Sequence, residues 1–213
     1  MAKQLNTPII SGNVSLYNET DGQAIYPTPM IGMVGLLDNI DHATTIGFKQ
    51  AGDAIYVIGA TQDSFNGSEI QKMQTGTIDG QLFGFDDAAE MAAQTLVRQA
   101  IGQRLLASAH DLAEGGLIVG LLESSFAGAL SFNVQTGLGT QYLFAETPSR
   151  FVVSVAAENM AAFEAMAGGL ATRIGDVTTG DDVVVTTTTE EIVLSREAAQ
   201  KVYQESISWQ LQA

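Results

Sequence analysis

Cysteine is absent from the 213-residue sequence. Disulfides, thiolate zinc sites, iron–sulfur clusters and cysteine nucleophiles are therefore excluded, and a reducing compartment is compatible with the composition. Basic residues are scarce: nine Lys and Arg against twenty-four Asp and Glu leave a formal charge of −15. Such a surface repels a phosphate backbone, so a nucleic-acid partner is not expected. A small anion remains admissible, because backbone N–H groups bind phosphate without any lysine. The only histidines are His42 and His110, which excludes a multi-histidine metal site within one chain. No P-loop lysine motif, G-x-G-x-x-G, H-E-x-x-H or G-x-S-x-G occurs. No run approaches the roughly 18–20 consecutive apolar residues of a membrane helix. The opening residues, MAKQLNTPIISG, carry no basic-then-apolar signal. A soluble, cytoplasmic protein with no membrane partner is expected.

What is present is an ordinary globular balance, 46% hydrophobic and 15% charged, in a length that suits one large domain or two small ones. Apolar and β-branched runs predict strands at 7–17 (broken at Gly12), 30–37, 53–60, 105–109, 129–135, 150–156, 172–177, 182–188 and 192–194. Helical spacing predicts a short helix at 67–73 and longer ones at 86–101, 114–126 and 160–166. A last helix is capped by Ser195 and runs to 211. Asp87 and Glu90 have capping-box spacing, and Gly168-Gly169 mark a helix end. The fold class is α/β, a mixed sheet with helices.

Residues 49–213 read as a complete domain. Residues 1–48 do not, because they offer two apolar strands and no helix to cover them. Two strands alone are rarely stable in water, and bare edges invite pairing. This segment is expected to be the remnant of an incomplete β domain whose other strands lie upstream or in another subunit.

Four places have the residue types for chemistry. Residues 11–19 read SGNVSLYNE. Gly12 permits close approach of a ligand to the backbone. Asn13 and Ser15 are two apart, so on a strand they share a face and offer an amide oxygen and a hydroxyl to a hydrated magnesium ion and a phosphate oxygen. A bulged strand with polar residues facing solvent describes the same pattern. Residues 110–116, HDLAEGG, follow a strand and open a helix, so His110, Asp111, Gly115 and Gly116 form a candidate anion-binding turn. The same residues also suit plain helix capping by Asp111 with Glu114. Arg150 has the fork to pair with phosphate or carboxylate, but reads more simply as a surface arginine at a strand start. Asp79, Asp86 and Asp87 are acidic enough for magnesium and equally suited to turns and caps.

Residues 11–20 (SGNVSLYNET) and 27–35 (PTPMIGMVG) are followed by 108–117 (SAHDLAEGGL), 143–155 (LFAETPSRFVVSV) and 174–177 (IGDV). This ordered set resembles the formylglycinamide ribonucleotide amidotransferase family, the phosphoribosylformylglycinamidine synthases of purine biosynthesis, in separate-subunit form. The H-D-x-x-x-G-G block alone marks only the wider aminoimidazole ribonucleotide synthetase-like superfamily. The resemblance implies the C-terminal part of a longer ATP-dependent ligase: residues 1–48 from an N-type synthetase domain and 49–213 as a whole C-type domain. It implies ATP and magnesium as cofactors and formylglycinamide ribonucleotide as substrate. The implied partners are the rest of the synthase, a glutaminase subunit that delivers ammonia and a small accessory subunit. On the matching block, Gly12 looks like an ATP-contacting backbone, Asn13 like a magnesium ligand and Ser15 like a substrate contact. The family's catalytic histidine lies upstream, so no catalytic residue is assigned here, and the isolated chain is expected to be inactive. Ala113 stands where the family often has serine or threonine, which removes a hydroxyl from that turn. The rival reading is a non-catalytic assembly module, pairing its exposed strands with another chain or with a second copy in a homo-oligomer.

Overall fold

The computed structural model describes residues 2–14, 18–25, 28–63, 65–81 and 84–210, without the side chains of 209 and 210. Contacts divide the chain into two compact units, Met1–Ile40 and Asp41–Ala213, ahead of the expected 48/49 boundary.

In the first unit the NETDG turn forms a hairpin of β1 (Glu19–Thr20) and β2 (Gln23–Ala24). Asp21 and Gly22 have φ of 53° and 76°, the two left-handed positions that match the strand twist in a two-residue turn. The strands expected at 7–17 and 30–37 are not formed by their described residues. Ile10 is 93% exposed and Val34 97%, so neither run has an apolar face to pack on within this unit. Their β-propensity is therefore not realised, since it reflects packing against neighbours more than backbone preference.

The second unit holds β3 (Ala54–Ile58), α1 (Glu69–Thr75), α2 (Asp87–Gly102), β4 (Ser108–Asp111), α3 (Gly116–Gly128), β5 (Ser131–Gln135), β6 (Phe151–Val155), α4 (Met160–Ala167), β7 (Ala171–Thr178), β8 (Asp182–Thr186), β9 (Glu191–Ser195) and α5 (Arg196–Gln210). The sheet runs β4-β6-β3-β7-β5-β8-β9, with every pair antiparallel except β5 and β8. The α/β class with a mixed sheet is as expected.

Strand alternation sorts the core into two layers. Ile55 and Val57 of β3, Val152 of β6 and Phe132 of β5 face α3, which contributes Leu117, Ile118 and Leu121. Ala54, Tyr56, Ile58, Val153 and Val155 face the other way, onto α2 (Ala93, Leu96, Val97, Ala100) and α4 (Phe163, Ala167). Each large side chain so buried contributes about 1.5–3 kcal/mol. Phe48 belongs to this core, its ring 6.3 Å from that of Phe132. The Tyr56 hydroxyl donates to Glu164 at 2.7 Å and ties β3 to α4.

Two helix starts differ from expectation. α2 is capped by Asp86, whose carboxylate accepts from the Ala88 and Ala89 N–H groups, rather than by Asp87 with Glu90. α3 begins after Gly115 at φ 77°, with no side-chain cap, so the Asp111–Glu114 pairing does not form. The last helix starts as expected, Ser195 Oγ accepting from Ala198 N–H at 3.3 Å.

Candidate functional site

A cleft of about 630 Å³ opens where β3 and β5 end and β6 and β7 begin, bounded on one side by the start of α2. β3 leaves its last buried residue, Ile58, through Gly59 at φ 86°. A Cβ there would lie 2.3 Å from the Ser149 carbonyl oxygen, so the two backbones touch only because position 59 is glycine. Ser149 itself is left-handed, φ 64°. These residues, with Thr61, Gln62 and Pro148, form one rim of the cleft, and Asp86 also lines it. The floor is apolar, including Val57, Leu117 and Ile174.

Arg150 lies beneath this rim. A charged residue at a strand start is expected at the surface, but the structure buries Arg150 to 1% exposure. Its Nε donates to the Thr147 carbonyl at 3.0 Å, Nη1 donates to Thr61 Oγ1 at 3.0 Å and Nη2 donates to the Ala145 carbonyl. Thr147 Oγ1 in turn accepts from the Gln62 N–H at 3.0 Å. Desolvation lowers the guanidinium pKa to about 10, which leaves it charged at neutral pH.

The candidate turn at 110–116 is engaged from within. The Gly115 N–H donates to Glu146 Oε1 at 2.9 Å, and the same oxygen accepts from the Glu69 N–H at 3.1 Å. Gly116 packs against backbone, a Cβ there falling 2.6 Å from the Ala145 carbonyl oxygen. His110 lies 2.8 Å through Nε2 from Glu123 Oε2. A carboxylate only accepts, so Nε2 carries the proton. Asp111 is exposed, its Oδ1 3.7 Å from His110 Nδ1.

Gly12 and Asn13 are exposed, and a Cβ built on Gly12 would meet nothing within 4 Å. Ser15 lies outside the described residues. Magnesium takes several hard oxygen ligands. Among the described residues no group of three or more His, Asp or Glu is placed to hold a metal, and Asn13 supplies one neutral oxygen, so these residues alone do not make the site. Asp79 accepts from Gln71 Nε2 at 2.9 Å, and Asp86 caps α2, so these acids have structural partners.

Thr61, Glu123, Glu146 and Tyr203 were not singled out from the sequence. Each acts through a partner distant in the chain, which leaves no local pattern to find.

The family described as AIR synthase related protein, C-terminal domain, matches residues 50–188. Over all 213 residues the chain is 64% identical to phosphoribosylformylglycinamidine synthase subunit PurL of Leuconostoc mesenteroides, and it spans 29% of that protein. It is 49% identical over 205 residues to the subunit of the same name from Lacticaseibacillus paracasei, covering 96% of this chain and 28% of that one. Among solved structures, Thermotoga maritima PurL complexed with ATP superimposes with a TM-score of 0.58 at 13% identity, covering 74% of this chain and 27% of that one. Hydrogenase maturation protein HypE gives 0.54 at 20% identity, covering 74% and 56%. At such identities the likeness is one of fold. No helix among the described residues is long and apolar enough to cross a membrane. The chain belongs to the AIR synthase related family and carries its C-terminal domain.

Proposed function

We propose that this chain is the C-terminal part of an ATP-dependent phosphoribosylformylglycinamidine synthase. The observation that carries this reading is the 64% identity to a PurL subunit along the whole chain. In the reaction, ATP phosphorylates the amide oxygen of formylglycinamide ribonucleotide, and ammonia displaces phosphate to give the amidine. Such chemistry depends on positioning and charge neutralisation. On this reading residues 1–48 belong to an N-type domain completed by the rest of the synthase, and 49–213 are the C-type domain. The further partners are a glutaminase subunit and a small accessory subunit, and the compartment is the cytoplasm. Solved relatives described as complexed with ATP and with FGAR, and as PurLQS, agree with this ligand and partner set.

Within that assembly Gly12 lets ATP approach the backbone, Asn13 donates one oxygen to magnesium and Ser15 touches substrate. Magnesium, when bound, neutralises phosphate charge, and its other ligands come from the rest of the synthase. The anion expected at the 110–116 turn is the chain's own Glu146 carboxylate.

The test is a chimera in which this chain replaces the matching segment of the Leuconostoc mesenteroides subunit. Formation of the amidine within about tenfold of the parent rate is expected. Asn13→Ala in the chimera should lower the rate by about a hundredfold and shift the magnesium dependence. A folded chimera without activity would overturn the reading, and normal kinetics in Asn13→Ala would remove the site assignment.

A further inference from the structure

We propose that the cleft rim formed by Thr61, Gln62 and Ser149 is an anion subsite, with Arg150 as the positioning residue beneath it. The ligand class is a small organic phosphate or carboxylate whose apolar body rests on Val57, Leu117 and Ile174. This goes beyond the synthase reading, and its failure would leave that reading intact.

The argument starts from a buried charge. Arg150 is 1% exposed, and none of the ion pairs among the described residues includes it. Burying a cation without a counter-charge carries a penalty of several kcal/mol. Its three acceptors are two carbonyls and a hydroxyl, and all are neutral. Neutral donors could hold the same loops at lower cost. The retained charge therefore acts on something outside the network.

Thr61 is the link. Its Oγ1 accepts from Arg150 Nη1, so its own hydrogen is left to donate, polarised by the cation behind it. Thr61 lines the cleft, as do Gln62 and Ser149, and no described hydrogen bond engages the Ser149 hydroxyl or the Gln62 side chain. Ser149 is held left-handed, and the Gly59 backbone is packed against its carbonyl. Strain of this kind in a non-glycine residue gathers at binding sites. In a chain of net charge −15, distant charges repel an anion, so the attraction must be local. Low dielectric strengthens it where the source is buried.

The cleft also has a direction. Asp86, which also lines the cleft, keeps its carboxylate on the start of α2. An anionic group is repelled there and a hydrogen-bond donor is favoured. The ligand thus places its anion at Thr61 and its apolar body across the floor.

The test titrates the full 213-residue chain by calorimetry with four probes: phenyl phosphate, benzoate, phenol and inorganic phosphate. Phenyl phosphate or benzoate should bind in the millimolar range, at least about fivefold tighter than phenol. The tighter of the two names the anion class. Inorganic phosphate, without a body, should bind more weakly than phenyl phosphate. Thr61→Val keeps the shape and should bring the anion-to-phenol ratio close to one. Arg150→Met should do the same, and Arg150→Lys should restore part of the ratio, which a purely structural role would not. If Arg150→Met fails to fold, Thr61→Val decides. No binding of either anion at about 20 mM, or an unchanged ratio in Thr61→Val, overturns the proposal.

Discussion

The Tyr203 hydroxyl donates to Glu123 Oε1 at 2.5 Å, while the other oxygen of Glu123 lies 2.8 Å from His110 Nε2. One carboxylate of α3 thus joins the last helix to the β4 edge of the sheet. The Tyr203 ring also packs 5.8 Å from Phe126, so α5 is held on α3 by one polar and one aromatic contact.

Tyr203→Phe removes the polar contact and keeps the aromatic one. A loss of about 1 kcal/mol is expected from urea unfolding, with faster amide exchange across α5. The hydrogen bond to Glu123, then burial and the Glu123 charge, raise the Tyr203 pKa above its ordinary 10.0. A phenol raised on folding stabilises fully below the unfolded value and loses that contribution as pH climbs through the folded one. The difference between wild type and Tyr203→Phe should therefore be constant near neutrality and shrink above about pH 10.

Glu146 has the same kind of bridging role at the other end of α3. It accepts from the Glu69 N–H at the start of α1 and from the Gly115 N–H just before α3. Glu146→Ala strands two donors and should cost about 2 kcal/mol. Glu146→Gln retains an acceptor and should recover at least half of that. Amide exchange at positions 69 and 115 should rise in the alanine variant alone; equal rates in both variants would remove the bridging role.

How much of this was legible in the sequence depends on the range of the forces. The alternation in DAIYVIGA separates Ile55 and Val57 from Ala54, Tyr56 and Ile58, and the sheet puts these sets on opposite layers. That pattern is local and was readable. Arg150 was misread because a charged residue at a strand start is ordinarily exposed. Its burial depends on carbonyls at 145 and 147 and on Thr61, 89 residues away. The start of α3 was misplaced because left-handed Gly115 opens the helix without a side-chain cap. The runs at 7–17 and 30–37 have strand composition, but composition does not supply the neighbours that strands pair with.

Asp53 directly precedes β3 and is 4% exposed, and its Oδ2 has no described hydrogen-bond partner. Burial first, and then the Glu158 charge, raise its carboxyl pKa above the ordinary 3.8, with a backbone hydrogen bond at Gln50 offsetting part of the shift. An acid raised on folding binds more protons in the native state, so its contribution to stability falls as pH rises through that range. Asp53→Asn does not titrate. The variant should gain on wild type as pH rises from about 4 through the raised folded value, read from urea midpoints at matched slopes. A difference that stays flat with pH would mean that the carboxyl titrates in the fold as it does in the unfolded chain.

The first unit offers the sharpest contrast in local stability. Ile9, Ile10, Met30, Ile31, Val34 and Leu36 are all at least 84% exposed, and among the described residues the only paired strands there are the two-residue β1 and β2. A hairpin this small is marginal in water. The second unit buries two apolar layers around seven strands. Thermolysin cleaves beside apolar residues in accessible chain, so brief digestion should cut within 9–37 and leave a resistant product beginning in the 40s. Phe48 is inside the core and sets the limit of trimming. The product should melt within a few degrees of the full chain, because the removed residues contribute no buried apolar layer. On the proposed synthase reading, co-expression with the rest of that enzyme should abolish the cuts by giving the same apolar residues a sheet to complete. Early cleavage between 54 and 58 instead would show that β3 is not the stable centre of the domain.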